Sequence, residues 1–442
     1  MRESNHSVMH GTPSSLILHL IRFLETEDIP SVYLRNHEQL PESVGNDVDL
    51  LIPRGRSMHV SSILKREARQ QGWCFLGAAR FGELSLYFAN PENAGTLHVD
   101  LYDRFCWHGI KYADEAGVMA RRQWNGNVFI PDVRDELYLN IGERLIYAGS
   151  IREKHQLQAG ACLVSKGMDF VTSAFERHLG SHGRDLAGEL IHRNWQGSTP
   201  LRNRMRRLAF LKHGLPHPLR LLGGILGYGW RILTKMARPP GRFLVFEGAD
   251  GVGKSTVMEA VIPWCASWCA GRDPYDFHWK PTKLHTGERA KPPSVDPRAK
   301  RLRGPAASFV FLLYHLTGFW WGWLVRIYPL LIQSHVVAGD RYSYDMFLDP
   351  RRFRLGLPSW LCKLAALAAP GPDCVIGLVA SPEVVYARKP ELSIEEIRDY
   401  QERWRDLARD RKQMLEVSAD GSVDEVIQRV KCGILRMIAT DS

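Results

Sequence analysis

With 442 residues, 45% of them hydrophobic and 24% charged, the chain has the composition of a soluble globular protein and the length for two or three domains, each with its own core. This excludes an intrinsically disordered chain and a small disulfide scaffold; the eight cysteines are scattered without a CxxC pair, which fits a reducing cytoplasm. The formal charge of +10 is uneven, because Arg193 to Arg242 holds eleven Lys/Arg and no Asp or Glu.

In chain order, Met1 to Ser15 is polar and the apolar Leu16–Phe23 run is interrupted by His19 and Arg22, so no signal peptide is expected. Leu16–Leu24 predicts a first helix and Ser31–Leu34 a strand. Gly45-Asn-Asp47-Val-Asp49-Leu-Leu-Ile52 then places acids on alternate residues of a strand. Residues two apart share a face, so Asp47 and Asp49 would present paired carboxylates, as divalent metal binding at a phosphoryl-transfer centre requires. A second alternating strand, Leu97-His-Val-Asp100-Leu-Tyr102, offers a third carboxylate in Asp100. Two aspartates on one strand and a third on a later strand resemble the nucleotidyltransferase fold of the polymerase-β-like superfamily, over roughly Leu16 to Asp135. The resemblance implies an α+β domain over residues 1–150 with metal at Asp47, Asp49 and Asp100. It departs in one respect: the Gly-Ser pair that cradles the triphosphate in that family is replaced by Arg35-Asn36-His37-Glu38.

Asp132–Gly149 and Ile151–Gly160 predict helices, and residues 151–240 are expected to be a helical region and basic linker. Within it, Arg202, Arg204, Arg206 and Arg207 precede the apolar, Gly-rich run Leu221–Trp230. Such a segment could touch an anionic membrane face from the cytoplasmic side, or serve as a solvated connector. Four glycines between 223 and 229 count against a stable amphipathic helix. No aromatic-interleaved or helix-turn-helix pattern signals nucleic acid. Arg238-Pro-Pro-Gly241 ends any preceding helix.

From residue 241 the pattern alternates in the α/β manner. Phe243–Phe246 predicts a buried parallel strand, and Gly248-x4-Gly253-Lys254-Ser255 fits the phosphate-binding loop pattern in full. Backbone N–H groups of Gly248, Ala249, Asp250, Gly251, Val252, Gly253, Lys254, Ser255 and Thr256 would surround phosphate oxygens at the positive end of the following helix. Lys254 would reach the β/γ-phosphates and the Ser255 hydroxyl would sit on Mg²⁺. Phe309–Val325 is uncharged and aromatic-rich but is closed by Arg326, short of a membrane span, and reads as a buried helix. Val336–Gly339 and Cys374–Val379 predict further strands, the first ending at Asp340-Arg341-Tyr342. Met414–Val417 and a Val423–Met437 helix close the domain.

Phe246-Glu-Gly-Ala-Asp-Gly-Val-Gly-Lys-Ser-Thr256, with Asp250 inside it, closely resembles the phosphate loop of thymidylate kinases, and Asp340-Arg341-Tyr342 matches that family's Asp-Arg-Tyr motif. Arg388 and Lys389 stand where the family carries its basic lid. The resemblance covers residues 241–442 and implies a P-loop kinase with a parallel sheet and flanking helices, using ATP and Mg²⁺. Asp340 would hold a metal-bound water or position the acceptor, and Asp250 would act near the acceptor as base or hydrogen-bond partner. Lys254, Arg341, Arg388 and Lys389 would neutralise the migrating phosphoryl. The family's Arg-Glu-Pro-Gly-Gly motif, which shapes the monophosphate site, is absent. The chain has His278-Trp-Lys-Pro281 and Gly287–Pro293 instead, and Ser343 to Arg352 could form a second polar cluster. These departures resemble a thymidylate-kinase-like group encoded with bacterial surface-polysaccharide genes, so the acceptor is a nucleoside monophosphate or a surface-polysaccharide precursor. The competing readings are a nucleotide-dependent regulatory module without turnover and metal-dependent nucleotide transfer by the N-terminal domain.

Overall fold

The computed structural model describes residues 11–440 apart from 46, 81, 93, 270–272, 282–283, 285–300 and 410. Gly287–Pro293 lies outside the described residues. Two compact units divide the chain, one formed by Met1–Phe88 with Leu97–Thr234 and the other by Ala89–Thr96 with Lys235–Ser442.

The first unit is built on a mixed sheet of Val32–Tyr33 (β1), Asp47–Leu51 (β2), Cys74–Arg80 (β3), Leu84–Ala89 (β4) and Thr96–Tyr102 (β5), in the order β1-β2-β5-β4-β3. β1 runs antiparallel to β2, and β2 runs parallel to β5 with Asp49 opposite Asp100. Helix Pro13–Thr26 (α1) starts where Pro13 lacks only an N–H that would go unbonded, and the Ser15 N–H donates to the Thr12 side chain at 3.2 Å. Its Leu16, Leu20 and Leu24, four apart, and Val60, Leu64 and Ala68 of helix Ser57–Gln70 (α2) share a core with Val48, Leu50, Val99 and Leu101.

Two short hairpins follow, Cys106–Trp107 (β6) with Ile110–Lys111 (β7) and Gln123–Trp124 (β8) with Phe129–Ile130 (β9), with helix Glu115–Ala120 (α3) between them. Helices Val133–Ala148 (α4), Glu153–Lys166 (α5), Met168–Leu179 (α6), Ser181–His192 (α7) and Thr199–Ala209 (α8) then form a second core around Tyr138, Phe175, Leu190 and Met205. The arginine-rich stretch after residue 193 is therefore not all solvated connector: Leu201, Met205, Leu208 and Ala209 of α8 are buried.

The Gly-rich run is likewise not broken. Pro218–Ala237 (α9) is a continuous 20-residue helix, against the expectation drawn from its glycines. The reason lies at one of them: a Cβ on Gly224 would collide with the backbone of Gly109 in the β6–β7 turn, and one on Gly109 with Gly224. Two bare backbones cross there, and beside them His108 stacks on Tyr228 with ring centroids 4.6 Å apart.

The second unit holds a five-stranded sheet ordered β11-β12-β10-β13-β14, from Arg242–Glu247 (β10), Tyr275–His278 (β11), Val336–Asp340 (β12), Cys374–Val379 (β13) and Met414–Ser418 (β14). Every neighbouring pair is parallel. The inner strands β12, β10 and β13 are largely apolar because helices cover both faces. These helices are Lys254–Ala266 (α10), Pro305–Gly322 (α11), Tyr328–Ile332 (α12), Asp345–Leu348 (α13), Ser359–Leu367 (α14), Pro382–Arg388 (α15), Ile394–Ala408 (α16) and Val423–Thr440 (α17). Phe243, Phe277, Phe319, Tyr342 and Trp404 lie in one core cluster.

α11 corrects a second expectation. With its continuation to Ile332 it is long and apolar enough to cross a membrane, yet only 28% of that window is buried. Ser308, Leu312, His315, Phe319 and Gly322 form the inward stripe, while Val310, Leu313, Tyr314, Trp320 and Trp321 are exposed. The helix packs by one narrow face, and among the described residues nothing covers the other.

Candidate functional site

β10 delivers the chain to the centre of the parallel sheet, and the loop from Gly248 to Gly253 turns there into α10. Gly248, Gly251 and Gly253 have φ of +152°, +94° and +101°, a region that side chains avoid. At Gly248 a Cβ would also lie 2.8 Å from the Leu378 carbonyl oxygen, and at Gly251 one would lie 2.8 Å from Lys389 Cβ. The loop is thus wrapped against β13 on one side and the end of α15 on the other.

Lys254, at the first position of α10, is buried and its ammonium donates to the carbonyl oxygens of Gly248 at 2.7 Å and Ala249 at 3.1 Å. Burial pushes it down to about 8, helped by the Arg341 guanidinium and opposed by Asp250 and Asp340. Ser255 and Thr256 follow, exposed, on the first turn.

β12 ends at Asp340, beside His278 at the end of β11, with His278 Nδ1 3.2 Å from Asp340 Oδ2. Burial favours the protonated acid, but the His278 bond and the Lys254 and Arg341 charges outweigh it and hold Asp340 at about 2. Its Oδ1 is buried and has no hydrogen-bond partner among the described residues. Arg341 follows with φ +70°. Its guanidinium, 2% exposed, donates to Asp250 Oδ1 and to Asp345 Oδ1, each at 2.7 Å. Arg352 donates to the other Asp250 oxygen at 3.1 Å. Burial opposes ionisation of Asp250, yet Arg341, Lys254 and Arg352 together hold it well below the usual carboxylate range. A carboxylate so held stays anionic and positions its neighbours.

Seven expected residues therefore converge: Gly248, Gly251 and Gly253 of the loop, Asp250, Lys254, Asp340 and Arg341. Of the Ser343–Arg352 stretch, Asp345 and Arg352 join them, whereas Arg351 pairs with Glu396 at 3.2 Å on the surface. Arg388 is exposed at the end of α15, and the Lys389 ammonium pairs with Glu391 at 2.9 Å although its Cβ abuts the loop.

Two participants were missed. Glu247, fully buried at the end of β10, accepts from the Tyr342 N–H at 2.9 Å. The Tyr400 hydroxyl on α16 accepts from the Gly248 N–H at 3.1 Å and donates to Glu247 at 3.5 Å. Burial, then the neighbouring Asp345, pushes the Glu247 carboxyl well up. A carboxyl ending an otherwise apolar strand was visible in the sequence; Tyr400, some 150 residues on, left no signal.

In the first unit Asp47 and Asp49 on β2 and Asp100 on β5 do come together on neighbouring interior strands, but each is already engaged. The Asn36 amide donates to Asp47 at 3.0 Å, Arg35 stands 3.8 Å from Asp49, and Asp100 accepts from Ser85 and lies 2.9 Å from His98 Nε2. Arg35 also meets Asn140 and Glu143. Burial, against the Arg35 charge, pushes Asp49 up to about 6. Among the described residues no group of three or more His, Cys, Asp or Glu is arranged to hold a metal ion. The expected metal at these three carboxylates does not fit this arrangement, because Asn36, Arg35, Ser85 and His98 already engage them.

No model of a protein family matches the chain, and no curated protein matches it. Among solved structures it is similar to the thymidylate kinase from Ehrlichia chaffeensis, at 16% identity and a TM-score of 0.30, over 43% of this chain and 97% of that one. The strand order, the all-parallel pairing and the loop geometry carry the fold: an α/β protein whose second unit is a P-loop-type parallel sheet.

Proposed function

We propose that the second unit is an ATP-dependent kinase that moves a phosphoryl group to a small acceptor, a nucleoside monophosphate or a surface-polysaccharide precursor. The observation that carries this reading is the convergence of one buried lysine, two guanidiniums and two anionic carboxylates at the carboxyl ends of β10 and β12, where ligands bind in such sheets. The residues fit a magnesium nucleotide: Gly248, Gly251 and Gly253 hold the loop in a positive-φ turn ahead of the α10 N-terminus, and Asp340 Oδ1 is a buried oxygen without a partner among the described residues. When bound, the nucleotide supplies the phosphoryl group and Mg²⁺ the charge neutralisation, with Ser255 and Asp340 as the ligands on this chain.

The rest is done by the chain. Lys254 gives up the two loop carbonyls to meet phosphate oxygens, so its binding energy is spent where negative charge accumulates. Arg341 and Arg352, held by Asp250, present fixed positive charge towards the acceptor side. Arg388, exposed at the end of α15, and Lys389, which would exchange its Glu391 partner for phosphate, can close from there. For the first unit no nucleotide-transfer step is derived, since Arg35 stands against Asp49.

The test is ATP turnover over a panel of thymidylate, phosphosugars and lipid-linked sugars. Lys254→Ala is expected to lower turnover at least about a hundredfold with an unchanged circular dichroism spectrum. Turnover at the wild-type rate in that variant would sink the reading, and ATP binding without turnover on any acceptor would favour a regulatory module.

A further inference from the structure

Helix α9 has its polarity reversed. An amphipathic helix of a globular protein turns its apolar stripe inward. Here Leu219, Leu222, Leu226, Trp230, Leu233 and Met236 recur at spacings of three and four and are 84%, 54%, 64%, 69%, 59% and 48% exposed. The opposite face is the one that packs, through Gly224 against Gly109 and Tyr228 against His108. None of the helix's residues is buried. Around it the chain from Arg193 to Arg242 contains no acid, and exposed cations stand near both ends, Lys212 before the helix, Arg220 in its first turn and Arg238 after it.

We infer that α9 is an interfacial helix that lays this stripe into the surface of an anionic lipid bilayer. The charge pattern selects the occupant. A protein partner would need only the apolar stripe. Twenty residues of helix with Leu and Trp on one side and an acid-free, cationic surround match a bilayer of negative headgroups, where the indole of Trp230 would sit at headgroup level. The helix lies in the plane and does not span, since its back face is held against the β6–β7 turn.

The full chain is mixed with vesicles of equal parts phosphatidylcholine and phosphatidylglycerol, or of phosphatidylcholine alone, and floated on a gradient. Binding is expected with the anionic vesicles, weakening as salt rises, and falling about fivefold for each of Arg220→Gln and Arg238→Gln. The double variant Leu222→Glu/Leu226→Glu is expected to lose at least about tenfold in affinity. Both side chains are exposed, so the variant should fold, and its ATP turnover should match the wild type. Equal binding to neutral vesicles, or undiminished binding by the Glu variant, would overturn the inference. So would a wild-type dimer that ignores vesicles and that the Glu variant splits, which would assign the stripe to a second copy of the chain.

Discussion

Lys254 is a cation with a conditional charge. Its ammonium is enclosed by two carbonyl oxygens and sits near Arg341, and burial brings it down to about 8. A triphosphate arriving beside it would favour the protonated form and lift it again. Near pH 8 the empty site is then about half protonated and the filled one fully so, and binding takes up about half a proton. Below pH 7 both states are protonated and uptake vanishes; above pH 8 affinity falls as the uptake rises. Calorimetric titration with ATP in buffers of different ionisation enthalpy measures this directly, and heats independent of buffer at pH 8 would refute it. Lys254→Arg should abolish the uptake, because a guanidinium stays charged. The glycines and Lys254 were legible because a tight phosphate turn admits few residue types. Arg341 was legible as a motif, but its pairing with Asp250 was not, since Asp250 lies 91 residues from it and only the sheet brings them together.

At the scale of elements, β13 and α16 meet through an absence. A Cβ on Gly377 would fall within the indole of Trp404, so that ring lies flat on the strand backbone. Gly377→Ala is expected to displace the ring and destabilise the second unit by about 1–3 kcal/mol, read from the denaturant midpoint at unchanged slope. No midpoint shift would mean that the ring relocates without loss. β11, with only Tyr275 and Phe277 apolar, gave no clear run, whereas the other four parallel strands were readable because short, mostly apolar runs between turns have one sensible place in an α/β sheet. α9 was not, because four glycines looked like a breaker when one of them marks a backbone crossing with Gly109. The exposure of α11 was unreadable for a related reason: an apolar helix reveals its composition and not which of its faces is covered.

For the whole molecule, the two units have separate cores, and the phosphate loop belongs to one of them. A nucleotide at about a hundred times its dissociation constant should add about 2.7 kcal/mol to that unit. Hydrogen exchange with and without ATP and Mg²⁺ should therefore show slowing in peptides from 242–269 and 336–389 and none in 133–192. Equal slowing in both regions would show that the units unfold as one. The uncovered face of α11 bears on how such numbers can be obtained. Val310, Leu313, Tyr314, Trp320 and Trp321 expose adhesive surface even in the native state, and warming strengthens contacts of that kind. Heating should end in a precipitate whose onset depends on protein concentration and scan rate, so the exposed faces of α11 and α9 set the colloidal limit of this chain before its fold is lost.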